Sequence, residues 1–208
     1  MGNCSVSRKT NEDNLKFISC FLKDIEWFIF FGSLLGVVRD GRLIDQDDDI
    51  DIYVDYSCRE EVLRRIESSN SQVTININNK FMIQLNRIVN GERGCIDLYF
   101  YTQERGGFIL ERWNFFGFCD NEHYHLKLPK LLIYPIRSVN FNGDFINVPN
   151  QSEKLVRILY GRKWNTPLKK DGQKYRVVML FNRPVTLYHR MAQIINIISS
   201  LYRLIKKR

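Results

Sequence analysis

The chain has 208 residues, 44% hydrophobic and 26% charged, and its 31 lysines and arginines against 23 acidic residues leave a net charge of +8. That length buries one substantial core and is short for two ordinary domains, and the composition is that of a globular chain, not a fibrous or disordered one. The five cysteines at 4, 20, 58, 95 and 119 are odd in number and form no Cys-x-x-Cys pair. This argues against a zinc site and a disulfide framework, and for a reducing compartment.

The polar N-terminus has no apolar leader stretch, and Met1-Gly2-Asn3-Cys4-Ser5-Val6 carries Val where a myristoylation start needs Ser or Thr. Neither a leader nor an acyl anchor is expected. Residues 11–24 place Leu15, Ile18, Cys20, Phe21 and Leu22 at roughly helical spacing, which predicts an amphipathic helix. A strand is expected over 26–31. It exits into Gly32-Ser33, where backbone can approach a phosphate closely and offer N–H groups and a hydroxyl. A short helix over Leu34–Val38 would then aim its N-terminal dipole at an anion.

Asp40-Gly41 reads as a turn, and beyond it five carboxylates fall within seven residues: Asp45, Asp47, Asp48, Asp49 and Asp51. Like charges at this density repel unless a cation joins them. The run from Asp49 to Val54 alternates polar and apolar residues, the period of a half-buried strand. Asp49 and Asp51 therefore share a face, with Ile50, Ile52 and Val54 turned to the core and Asp48 on the opposite side. Oxygen-only ligands converging from one strand suit Mg²⁺ or Mn²⁺. An EF-hand loop is excluded, because position 52 is Ile and position 58 is Cys where that loop needs Gly and Glu.

A helix is expected over 58–68, then a hairpin of 73–77 and 81–89 around Asn78-Asn79-Lys80. Asn90-Gly91 or Arg93-Gly94 turns the chain into a strand over 95–101. Asp97 stands alone there among apolar neighbours, costly unless paired or metal-bound, and is read as the third acid of the site, as metal ligand or general base. Glu104 to Gly107 reads as a loop or hairpin turn. His123-Tyr124-His125 is read as two histidines on opposite faces of a strand or loop rather than a ligand pair. Strands are expected around the Asn142-Gly143 turn, and a helix over 152–160 ending at Gly161.

From Pro184 to Arg208, apolar residues recur at helical spacing and end in Arg203, Lys206, Lys207 and Arg208. Polar interruptions rule out a membrane span. A peripheral contact of residues 185–208 with an anionic membrane and a helix packed on the domain or in a dimer stand as equal alternatives.

The blocks Phe31-Gly32-Ser33-Leu34-Leu35-Gly36-Val37-Val38-Arg39 and Asp47-Asp48-Asp49-Ile50-Asp51 resemble the LicD/fukutin family of phosphosugar and phosphocholine transferases. The family usually reads Gly-[Thr/Ser]-Leu-Leu-Gly-x-x-Arg, then Trp-Asp-Asp-Asp-Ile-Asp. Gln46 replaces the usual Trp, and Asp45 stands where Pro is common. A weaker match follows at Ile146-Asn147-Val148-Pro149, Leu155, Tyr160-Gly161 and Trp164 to Pro167, so the resemblance spans roughly Ile25 to Pro167.

The resemblance implies an α+β fold, a nucleotidyltransferase-like mixed sheet flanked by helices, over residues 1–180. A C-terminal amphipathic basic helix is expected over 181–208 from its spacing. It implies metal-dependent transfer of a phospho-alcohol group (phosphocholine, phosphoethanolamine or polyol phosphate) from a CDP-linked donor to a glycan hydroxyl. In that scheme Asp49, Asp51 and Asp97 are catalytic and hold Mg²⁺ or Mn²⁺, with Asp47 an additional or outer ligand. Gly32, Ser33 and Arg39 bind the donor phosphates. Two rival readings are transfer of a nucleotide from an NTP to a small molecule, protein or RNA, and a non-enzymatic basic adaptor for membrane or nucleic acid. An intact acid set argues against the adaptor, and nucleic acid is not the expected partner. The expected location is the cytoplasm, with the inner face of a membrane as a peripheral option.

Overall fold

The acidic strand does not lie half-exposed at an edge; it sits inside a mixed sheet. The computed structural model describes residues 6–69, 72–112 and 126–167. Elements follow in the order α1 (Arg8–Phe21), β1 (Trp27–Ile29), α2 (Phe31–Asp40), β2 (Asp49–Asp55), α3 (Arg59–Glu67), β3 (Thr74–Asn79), β4 (Met82–Val89) and β5 (Glu92–Glu104). Then come β6 (Phe108–Glu111), β7 (Leu126–Pro129), α4 (Lys130–Ile133), β8 (Arg137–Phe141), β9 (Asp144–Val148) and α5 (Ser152–Tyr160). The main sheet has the order β1-β2-β5-β4-β3, with β6 continuing from β5 and β7 pairing β6.

β2 and β5 pair in parallel, and the other pairings of the sheet are antiparallel. Residues 50–54 are all buried, so the strand is covered on both faces. This corrects the half-buried expectation: a parallel pair in the sheet interior has helices or side chains over each face. Leu15 and Ile18 of α1 and Val62 and Ile66 of α3 join Ile50, Ile52, Ile96 and Leu98 in the core. Around Tyr53 the rings of Phe28, Phe30, Phe31 and Tyr99 lie with centroids 4.0–5.8 Å away.

Turn chemistry sets the antiparallel registers. Asn90 and Gly91 (φ 51° and 82°) and Asn142 and Gly143 (φ 53° and 88°) both have the paired positive φ values of two-residue hairpins. Of the two turns open to β5, the chain uses Asn90-Gly91, and the strand runs three residues beyond the expected 95–101 at each end. The turn expected at Glu104 to Gly107 is the hairpin between β5 and β6, while β7 and α4, four residues each, were not expected and are too short for a periodic signal.

The largest correction concerns Gly32 and Ser33. They do not form a strand exit: α2 already begins at Phe31, and both lie in its first turn. The helix ends at Gly41, whose φ of 66° carries its N–H back to the Val37 carbonyl. His123, Tyr124, His125, the boundary at 180 and the helix over 185–208 lie outside the described residues.

Candidate active site

The parallel register places Asp51 opposite Asp97, with Asp49 opposite Cys95 two positions earlier. Period two along each strand turns Asp49, Asp51 and Asp97 to one face. Asp51 and Asp97 are only 7% and 5% exposed, so their charges stand largely out of water. Among the described residues, none of the three carboxylates forms an ion pair with a lysine or arginine. Burial is the main cause pushing Asp49 and Asp51 well above the ordinary carboxylate range, and the neighbouring aspartates add to it. Asp97 is pushed up to about 6, again chiefly by burial, while hydrogen bonds from Gln84 and Tyr99 hold it back. A group of buried, mutually repelling carboxylates is what a cation relieves.

The loop before β2 closes the group. One carboxylate oxygen each from Asp47, Asp48 and Asp49 lies within 4.8 Å of the others. Asp48 was expected on the opposite face, but it precedes the strand, so strand alternation does not govern it. The buried Asn11 donates its side-chain amide to the Asp47 carbonyl at 2.9 Å, and Arg8 pairs with Asp45 at 2.8 Å, so α1 fixes the loop.

Gly32 stands directly over the acids. A methyl group at its Cα would lie 2.8 Å from Asp47 Oδ2 and 3.4 Å from Asp51 Oδ2, a close approach that only glycine allows. Its N–H donates to Asp51 Oδ2 at 2.9 Å, and the Asp51 N–H donates to Ser33 Oγ at 2.9 Å. The first turn of α2 thus faces the Asp51 residue itself, and its positive end favours the carboxylate charge. Arg39 is placed elsewhere. It lies seven residues along α2 from Gly32, about 10 Å at 1.5 Å per residue, and its guanidinium holds Asp40 at 2.6–3.0 Å.

Two groups fix Asp97. Gln84 Nε2 donates to Oδ1 at 2.8 Å, and the Tyr99 hydroxyl donates to Oδ2 at 3.3 Å. Tyr99 was legible in principle, since it follows Asp97 by two on one strand. Gln84 becomes a neighbour only through the β4–β5 register. Phe31, with φ at 37°, sets its ring 5.5 Å from that of Tyr99 beside the acids.

All of the converging donors are carboxylate oxygens, a set that fits a hard divalent cation. Asp49, Asp51 and Asp97 from the strands and Asp47 from the loop are the residues able to hold it, with Asp48 beside them. Among the described residues no helix is long and apolar enough to cross a membrane.

Comparison with known proteins bears on the family and the fold. Residues 24–151 match the family model described as LicD/FKTN/FKRP, nucleotidyltransferase domain. No curated protein matches the chain. Among solved structures, a lincosamide antibiotic adenylyltransferase bound to lincomycin superposes with a TM-score of 0.50 at 16% identity, covering 69% of this chain and 83% of that one. A nucleotidyltransferase-like protein from Thermotoga maritima gives a TM-score of 0.40 at 16% identity, with full coverage of both chains. The first of these likenesses carries the fold. Since the matched segment takes up well over half of the chain, the protein belongs to the LicD/FKTN/FKRP nucleotidyltransferase-domain family and is a transferase.

Proposed function

We propose that the protein transfers a phospho-alcohol group, such as phosphocholine, phosphoethanolamine or a polyol phosphate, from a CDP-linked donor to a glycan hydroxyl, with Mg²⁺ or Mn²⁺. The observation that carries the reading is the convergence of Asp49, Asp51 and Asp97, without cationic partners among the described residues, beside Asp47, which packs against Gly32. A divalent ion bound by these carboxylates supplies charge neutralisation for the pyrophosphate and the departing nucleotide.

The remaining steps belong to the chain's own groups. The acceptor oxygen attacks the phosphorus bearing the alcohol, the bond from that phosphorus to the bridging oxygen breaks, and CMP leaves with the electron pair. The acceptor proton passes to a carboxylate of the site. Asp97 is the carboxylate we assign to that role, since each of its oxygens takes one hydrogen bond and keeps a further lone pair. Gly32 and Ser33 hold Asp51 in place, and the missing Cβ at Gly32 lets the Asp47 carboxylate approach the helix closely. Arg39 engages Asp40 through Nε and Nη2. Membrane contact through 185–208 remains a proposal about residues outside those described.

Incubation with a panel of CDP-alcohols and NTPs tests the reading. Metal-dependent CMP release with the alcohol phosphate appearing on a glycan is the expected result. Pyrophosphate release from an NTP would replace it with nucleotidyl transfer, and turnover unaffected by chelator would overturn the metal assignment.

A further inference from the structure

The β3–β4 pairing slips by one residue between Ile75 and Ile77, so Asn76 is the extra residue of a β-bulge. A bulge re-aims a side chain. Here it sends the Asn76 amide onto its neighbour: Nδ2 donates to Gln84 Oε1 at 2.5 Å, and Gln84 Nε2 in turn donates to Asp97 Oδ1 at 2.8 Å. The chain of amides crosses from edge strand β3 through β4 to β5.

The polarity of this chain matters more than its existence. A glutamine amide has a donor end and an acceptor end, and the two can exchange by a half-turn. Asp97 accepts only from the donor end. With Asn76 giving its N–H to Oε1, Gln84 is held with Nε2 toward the carboxylate. The Tyr99 hydroxyl fixes the other oxygen of Asp97, so the plane of the carboxylate is set from both sides.

We propose that Asn76 and Gln84 are positioning residues. By locking the Gln84 amide with its donor end on Asp97, the bulge orients this carboxylate for cation binding. The proposal rests on the metal reading above. Partners of this kind, which orient a metal ligand from behind, change affinity by about 10–100-fold when removed.

Substitution at Asn76 separates the lock from a merely structural contact. Asn76→Ala removes the lock but leaves Gln84 able to face Asp97. Asn76→Asp gives Gln84 a strong acceptor instead, which draws Nε2 away and turns Oε1 toward Asp97. An added negative charge by itself would tighten cation binding, so the two mechanisms have opposite signs. Mn²⁺ binding to the full-length chain is measured by electron paramagnetic resonance, with metal-free melting followed alongside. The expected result is a dissociation constant raised about 10-fold or more by Asn76→Asp and by Gln84→Leu, less by Asn76→Ala, with melting little changed. Unchanged or tighter binding by Asn76→Asp would overturn the lock. Failure of the native chain to bind Mn²⁺ would overturn the metal reading and this inference together. Should Gln84→Leu not fold, the two Asn76 variants decide alone.

Discussion

Asp51 and Asp97 are register partners on parallel strands, and both are buried without a cationic neighbour among the described residues. Adjacent strands lie about 4.8 Å apart, so two carboxylates at one register position meet with little between them. Such a pair is costly to the fold and useful to a site.

Charge removal at this pair should separate activity from stability. Asp97→Asn and Asp51→Asn are expected to reduce turnover to background. In the metal-free state Asp97→Asn should melt higher than the native chain. A rise from the ordinary value to about 6 corresponds to about 3 kcal/mol of unfavourable charging at neutral pH, at about 1.4 kcal/mol per unit. Urea unfolding in chelator, paired with the donor assay, checks both halves.

The same shift sets the pH dependence. Folded Asp97 keeps its proton up to about 6, whereas the unfolded side chain releases it near the usual 3.8. Between those values the folded state binds more protons, so this group's contribution to stability falls as pH rises through the window. Asp49 and Asp51, raised by burial and by their neighbours, add to this loss as pH rises. Ions and protons compete for the same oxygens. Mg²⁺ should therefore raise the melting temperature more at pH 7.5 than at pH 5, measured by thermal melts with Mg²⁺ and with chelator.

Gly32→Ala should damage the site more than the fold. The new methyl group would press on Asp47 Oδ2 at 2.8 Å and approach Asp51 Oδ2 at 3.4 Å. Alanine is otherwise a better helix residue than glycine by about 1 kcal/mol. Displacement of reacting groups by about 1 Å can cost about 100-fold in rate. Turnover lower by about 100-fold with melting within a few degrees is the expected result, and unaltered turnover would show that the acids tolerate the shift.

Ser33→Ala should appear mainly in stability. It deprives the buried Asp51 N–H of its acceptor, which costs about 1–3 kcal/mol. A serine that held donor phosphate alone would instead raise KM for the donor and leave unfolding untouched. Denaturant unfolding and donor KM, measured on the same variant, distinguish the two roles.

Much of the fold could be read from periodicity and turn residues. The Asn142-Gly143 hairpin, the helix ending at Gly161 and the apolar stripe of α1 are local features, and local chemistry determines them. Alternation likewise put Asp49 and Asp51 on one face. Asp48 was misjudged because alternation was extended past the start of the strand. Arg39 was assigned to phosphate by resemblance alone, and its nearest carboxylate turned out to be the adjacent Asp40.

The sequence by itself determined which residue types were available: a dense run of carboxylates, a glycine and a serine before it, and one further acid in an apolar strand. The tertiary structure decided their meeting. Strand β5 lies beside β2 because it crosses back in parallel, and that register selects Asp97 as the partner of Asp51. It also brings Gln84 to Asp97 from β4, and a one-residue slip in β3 supplies Asn76. Residues on separate strands share no mutual periodicity, so only the pairing of backbones could bring these carboxylates and amides together.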